Sequence, residues 1–484
     1  MKYQSNRIFD DALKASIISV CSLIAVVACS NKNDMFVAGE ATTVFENVRI
    51  VHFYDDIPNI QTGMSIVVDG SKIVSVGARD KVIAEKAANI IDAGGMTVIP
   101  GLTDMHVHIW DEAELASYLS YGITTVRNAS GMPFHLILKE QIDAGEKVGP
   151  RLLTTGPILN SDGPNVQLNH QIVETSEDAI KAVRGQYETG YRDLKVYSNL
   201  KREPYDAIRS EASALGMTIM GHTPEGVRTE GMPAEKPFDI PFEDILDDGF
   251  TTIEHVESIV WHALRDRHDE EAARALAIKI ADAGVAVTPT LVAHYNLYRA
   301  AKEKDNFINR AGTELLNPFI RETEYEVVEF WRSQSPKSVG DNALFYQRMT
   351  DILNEEDVLL VAGSDAGIFL NIPGESLIDE LNLLVDAGLT PFEALQTATF
   401  NVAKVLREED RRGRIATGYK ADLALYDCDP LADIDCLKEP SGVMRNGIWY
   451  DEGDLIALRE AGKNPSYDRT HRNAMAGLAA QSLQ

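Results

Sequence analysis

The chain has 484 residues, 44% of them hydrophobic and 25% charged, so it is globular and longer than one hydrophobic core usually organises. Its 74 acidic residues against 46 basic ones leave a formal net charge of −28, which excludes a phosphate-tracking surface and with it nucleic acid as a partner. Such acidity describes a solvated, self-repelling surface and says little about substrate.

The amino terminus reads as a secretory leader over residues 1–28. Lys2, Arg7 and Lys14 precede an apolar run from Ala15 to Ala28 that is too short for a comfortable membrane span. The run closes on Val26-Val27-Ala28-Cys29-Ser30, which resembles the bacterial lipobox. That resemblance implies lipidation of Cys29 and an exported protein held on a membrane of the bacterial envelope, outer membrane or periplasm, without spanning it. An ordinary cleaved signal and a short uncleaved anchor are the alternatives.

Ala41 to Val51, Met64 to Val68 and Lys72 to Val76 then read as β-branched strands separated by turn signals such as Asp69-Gly70. Gly413 to Tyr426 and Val443 to Tyr450 have the same character. Both chain ends are therefore expected to build one small β-sandwich domain, from residues 36–99 and 407–455, followed by a tail at 456–484 to which no chemistry is assigned. Cys428 and Cys436 flank a short loop there. In an oxidising compartment they could pair, unless strand geometry holds their Cα atoms too far apart.

Between these ends, over residues 100–406, strand-like runs alternate with helical stretches, the pattern of βα units around a parallel sheet. Eight strands are predicted: Thr103 to His108, Ile123 to Asn128, Arg151 to Thr155, Asp193 to Tyr197, Thr218 to His222, Thr252 to Val256, Ala286 to Thr290 and Val358 to Ser364. Eight closes a (β/α)8 TIM barrel of the α/β class. Val227 to Pro241 and Val292 to Asp357 exceed normal connection lengths and are candidate lids or substrate walls.

The chemistry starts at His106-Val107-His108. On a strand, residues two apart share a face, so both imidazoles can reach one metal, whereas on a helix they could not. Lys195, His222, His255 and Asp365 each fall at the carboxyl end of another predicted strand, the rim where barrel enzymes place catalytic groups.

The stretch Val98-Ile99-Pro100-Gly101-Leu102-Thr103-Asp104-Met105-His106-Val107-His108 resembles the amidohydrolase superfamily, and so do Gly221-His222-Thr223-Pro224, Ile253-Glu254-His255, Gly363-Ser364-Asp365-Ala366 and Gly418-Tyr419-Lys420-Ala421-Asp422. The group it looks most like contains imidazolonepropionases and Xaa-Pro dipeptidases. That resemblance implies two divalent metal ions, zinc by preference, the first on His106, His108 and Asp365 and the second on His222 and His255. Carbon dioxide, taken up as a carbamate on Lys195, would span both. A metal-bridging hydroxide would attack a small amide, an N-acyl amino acid or Xaa-Pro dipeptide, with Asp365 shuttling the proton.

Tyr197 and His294 are candidate substrate contacts, as is Arg127, whose alternative is to pair with an acid of the ligand shell. Asn128 stands where the group often carries Asp. His52, His135, His170, His262, His268 and His471 are assigned structural roles. Two other functions stay open. One is a mononuclear cyclic-amide hydrolase or deaminase, with Glu225 of His222-Thr223-Pro224-Glu225 moving protons; the other is an inactive, lipid-anchored binding protein. Homo-oligomerisation is left open.

Overall fold

In the computed structural model the described residues are 36–38, 42–84, 89–164, 166–227 and 238–483. The leader with Cys29, and residues 228–237 of the first expected lid, lie outside them. No helix among the described residues is long and apolar enough to cross a membrane.

Seven parallel strands follow one another around a barrel: Leu102–Val107, Ile123–Asn128, Arg151–Asn160, Asp193–Val196, Thr218–Gly221, Phe250–Glu254 and Ala286–Thr288. Each lies within a few residues of its predicted position. Their inward and outward faces are both covered, which is why Leu102–Val107 and Ile123–Asn128 are buried at every residue.

The eighth segment is paired only through isolated bridges, Val287 to Leu360 and Val107 to Ala366. Backbone bonds nevertheless join it to both neighbours: Val361 N–H to the Val287 carbonyl at 3.0 Å on one side, Met105 N–H to the Ala362 carbonyl at 2.9 Å on the other. It therefore closes the barrel. Gly363 is what lets it lie so near the first strand, because a Cβ there would stand 2.8 Å from the His106 Cβ.

The expected union of the two chain ends is also present. Thr97–Pro100 pairs antiparallel with Leu423–Tyr426 and parallel with Thr42–His52, inside one mixed sheet of eight strands. This sheet has its own core of Phe45, Val48, Ile50, Ile66, Val98, Leu423 and Met444. Since Thr97–Pro100 runs through Gly101 straight into the first barrel strand, the small domain fixes where that strand enters the barrel.

The long stretch 292–357 folds into helices, including Leu291–Glu303, Tyr325–Ser333 and Pro336–Glu355. The tail forms two further helices, Glu452–Gly462 and Tyr467–Leu483.

Cys428 and Cys436 form a disulfide, their Cα atoms 6.5 Å apart, inside the span such a bond bridges. The loop it closes is tied to both domains: the Cys428 carbonyl accepts from Thr97 Oγ1 at 2.7 Å, and Asp435 accepts from Asn382 at 2.9 Å. We expect a non-reducing peptide map to show these two cysteines linked. Cys428→Ser with Cys436→Ser should lower the unfolding free energy by about 2–3 kcal/mol, read from urea denaturation, as for the loss of a short covalent loop.

Candidate metal centre

His106 and His108 project from the end of the first strand, 0% and 7% exposed, with ring centroids 5.5 Å apart. Asp365 follows the eighth segment and presents one oxygen to both, Oδ1 lying 3.0 Å from His108 Nε2 and 3.5 Å from His106 Nε2. Lys195 reaches in from the fourth strand, its Nζ 2.9 Å from His106 Nε2. The His255 ring lies 4.5 Å from that of His106 and 4.4 Å from that of His222, tilted against both. The six residues thus meet at the carboxyl end of the barrel, around a cavity of about 390 Å³ that His108, Lys195, His222, His255 and Asp365 line.

The rings are aimed by what holds their other nitrogens. His106 Nδ1 donates to Glu254 Oε2 at 2.5 Å, because a carboxylate can only accept. His255 Nδ1 bonds Thr290 Oγ1 at 2.7 Å and His222 Nδ1 bonds Ser258 Oγ at 2.9 Å. With Nδ1 engaged in each, Nε2 is the nitrogen left to face the cavity, the arrangement that orients metal-ligating imidazoles. His255, Thr290 and Asp365 all have positive φ, 64°, 51° and 53°. Left-handed backbone costs a non-glycine residue about 1–2 kcal/mol, and it occurs here where the chain turns off a strand to present a side chain.

Burial pushes the imidazoles of His106, His108, His222 and His255 below their ordinary pKa, so they are neutral with lone pairs available. Burial likewise brings the Lys195 amine down to about 8. For Asp365 burial acts the other way, but the adjacent imidazoles of His108, His255 and His106 outweigh it and keep the carboxyl well below the usual range.

Asp365 Oδ1 is buried and has no hydrogen-bond partner, despite its closeness to His108. It and the ligand nitrogens of His106 and His108 lie within 4.8 Å of one another. An anionic oxygen and two neutral nitrogens facing each other without a shared proton fit a divalent cation. The other half of the site differs. His222 and His255 are there, but the Lys195 amine offers no lone pair while it is protonated.

Tyr197 and His294 both line the cavity. The Tyr197 ring lies 3.9 Å from that of His222 and its hydroxyl accepts from Gln167 at 3.1 Å; His170, assigned a structural role, backs the same ring at 4.6 Å. Arg127 is placed differently from the expected substrate contact. Its guanidinium is 4% exposed and does not line the cavity, because Nη2 is held by Glu254 Oε1 at 2.8 Å and Nε donates to the Met105 carbonyl at 2.7 Å. Asn128 accepts the Ile109 N–H at 2.9 Å and so shapes the loop after His108.

Sequence reasoning passed over Glu254, although its place beside His255 at a strand end was a usable signal. It also missed Glu257, Trp261 and Trp331 in the cavity wall. Nothing local distinguishes Trp331, which reaches the cavity only because its helix folds over the barrel.

The amidohydrolase family model matches residues 97–449. Among curated proteins, an imidazolonepropionase of Aliivibrio salmonicida is 20% identical over 418 residues, covering 81% of this chain and 94% of the relative. Among solved structures, a Xaa-Pro dipeptidase with methionine bound in its active site has a TM-score of 0.63 at 23% identity, covering 85% of this chain and all (100%) of the other. A bottromycin amidohydrolase has a TM-score of 0.68 at 24% identity, covering 88% and 92%. At these identities the solved structures establish the fold.

If Glu254 sets the His106 ring, Glu254→Gln should weaken zinc binding about 10–100-fold, the usual size of such a loss, measured by competition with a chromophoric chelator. Unchanged affinity would detach Glu254 from the metal centre.

Proposed function

The chain belongs to the amidohydrolase family, and on that premise we propose that it is a metal-dependent hydrolase that cleaves the carbon–nitrogen bond of a small amide, such as an N-acyl amino acid or a Xaa-Pro dipeptide. The observation that carries this reading is the buried Asp365 oxygen without a hydrogen-bond partner, set between His106 and His108. Imidazolonepropionase and dipeptidase relatives, which the chain resembles along most of its length, support the same class of chemistry. A cavity of about 390 Å³ suits a substrate of dipeptide size.

His106, His108 and Asp365 would hold one divalent cation, zinc by preference for nitrogen and oxygen donors. His222 and His255 would hold a second, with carbamylated Lys195 serving both. When bound, such ions acidify water and polarise a carbonyl. Asp365 is positioned to accept a proton from the attacking water and return it to the leaving nitrogen. Glu254, through Nδ1 of His106, keeps that ring turned toward Asp365. Tyr197 and His294 stand where a hydroxyl and an imidazole can bind the polar ends of the substrate.

One observation favours a second reading. Glu225 lines the cavity at 2% exposure, three residues after His222, where it could move protons in a mononuclear cyclic-amide hydrolase or deaminase. The two readings separate on Lys195. In the binuclear reading, Lys195→Ala drops metal content toward one equivalent or less, lowers turnover and is partly rescued by short carboxylic acids, all read by elemental analysis and amide-library assays. Full activity in Lys195→Ala, with loss in Glu225→Gln, supports the mononuclear reading instead. Metal binding by the wild-type protein with no turnover of any amide or imine would mark it as a binding protein.

We also propose that Cys29 carries the lipid that tethers the mature enzyme to the cell envelope; the support is the run ending Ala28-Cys29-Ser30. Cys29→Ser should move the protein from the membrane fraction to the soluble one, and unchanged fractionation would point to an uncleaved anchor.

A further inference from the structure

The family match stops at residue 449, yet the helix Tyr467–Leu483 beyond it packs against the loop that follows His108. Arg469 grips Asp111 in a two-pronged ion pair, Nε to Oδ2 at 2.7 Å and Nη2 to Oδ1 at 2.6 Å. Asp111 is fully buried, three residues after His108, and also accepts the Ala113 N–H at 2.9 Å. The guanidinium is thus the main partner of a buried charge on the loop that leaves the first strand.

The neighbouring Trp110 links that loop to the other. Its indole N–H donates to the Gly367 carbonyl at 3.1 Å, two residues after Asp365. Here the two loops are nearly in contact: a Cβ on Gly367 would lie 1.9 Å from the His108 carbonyl oxygen, and His108 N–H donates to the Ala366 carbonyl at 2.7 Å. Ala474 of the terminal helix is buried in one apolar cluster with Trp110, Met132 and Phe319, and Ile368 packs on that cluster while also lining the cavity. Thr470, fully buried, accepts from Asn317, which also donates to Glu114 on the helix after the His108 loop. Farther along, Gln481 donates to Asn169 at 2.7 Å, and Asn169 in turn binds Ser130 and the Gly131 carbonyl after the second strand.

We infer that the carboxy-terminal helix is a brace for the metal centre and that Arg469 is a positioning residue: by holding Asp111 it sets the spacing between the His108 loop and the Asp365 loop, and hence the fit of the first metal. The inference rests on the proposed metal-binding reading. Arg469 touches neither metal nor substrate, so its effect passes through Asp111 and Trp110.

The test is the affinity of the full chain for cobalt(II), measured by chelator competition far below the unfolding temperature, alongside the visible spectrum of the cobalt-loaded protein. Arg469→Met should weaken binding about 10-fold and shift the cobalt bands, since supporting contacts of ligands typically carry that much. Arg469→Lys, which keeps the charge but not the fork, should recover part of the affinity. Lys463→Met, which removes a half-buried charge of the same tail that pairs with Glu460 and Glu314, should leave affinity unchanged. A helix that serves stability alone would let Arg469→Met melt earlier while binding cobalt with wild-type affinity and spectrum, and that result overturns the inference. Should Arg469→Met fail to fold, Asn473→Ala, which loses a contact to the Trp110 carbonyl, is read in the same way. If the wild-type protein itself bound no cobalt, the metal reading would fall, and the brace with it.

Discussion

The site depends on one buried ion pair that crosses the barrel. Arg127 leaves the second strand and binds Glu254 at the end of the sixth, while the other Glu254 oxygen holds His106 of the first. A single carboxylate on the sixth strand is thus tied to residues of the first and second strands that lie 148 and 127 residues earlier in the chain. Thr252 also bonds Glu254, and Arg127 caps the Met105 carbonyl, so both charges have every main partner they need in a place water does not reach. Leaving either one unpaired there would cost roughly 3–5 kcal/mol, which makes the geometry of His106 hard to change independently of the barrel.

From that pair the rest of the centre follows. With His106 turned by Glu254, its Nε2 faces Asp365 and Lys195, and the neutral imidazoles of His108, His222 and His255 complete the ring of donors. The backbone supports this by taking left-handed conformations at His255, Thr290 and Asp365, which place the side chains at the rim of the barrel. Tight packing of the eighth segment against the first strand, at Gly363, and of the two loops, at Gly367, leaves little slack between donors contributed by opposite ends of the barrel sequence. The carboxy-terminal helix adds a constraint from outside the family domain.

Much of the barrel was legible because its strands are short apolar runs bounded by turn residues, a pattern local in the chain. The eighth strand was legible as a segment but not as a weakly paired one, since pairing is decided by how the neighbouring strands approach. Tyr197 and His294 were placed near the cavity from their distance past a strand end. Arg127 could not be: from sequence, an arginine at a strand end is equally ready to meet a substrate or a buried acid, and the choice depends on Glu254 arriving from another strand. Trp331 and Arg469 carried no local signal at all, because their helices act only through docking.

By itself, the sequence determined the barrel, the small β-domain made by both chain ends, and the six residues that gather at the rim. It could do so because strand periodicity and the placement of His, Lys and Asp at strand ends are properties of short stretches of chain. Only the tertiary structure decided which nitrogen of each imidazole faces inward, that Arg127 serves Glu254 and not a substrate, that Cys428 and Cys436 lie close enough to bond, and that the tail reaches the loop that follows His108. Those outcomes depend on partners remote in sequence, and burial together with hydrogen-bond geometry, which no local pattern encodes, selects among them.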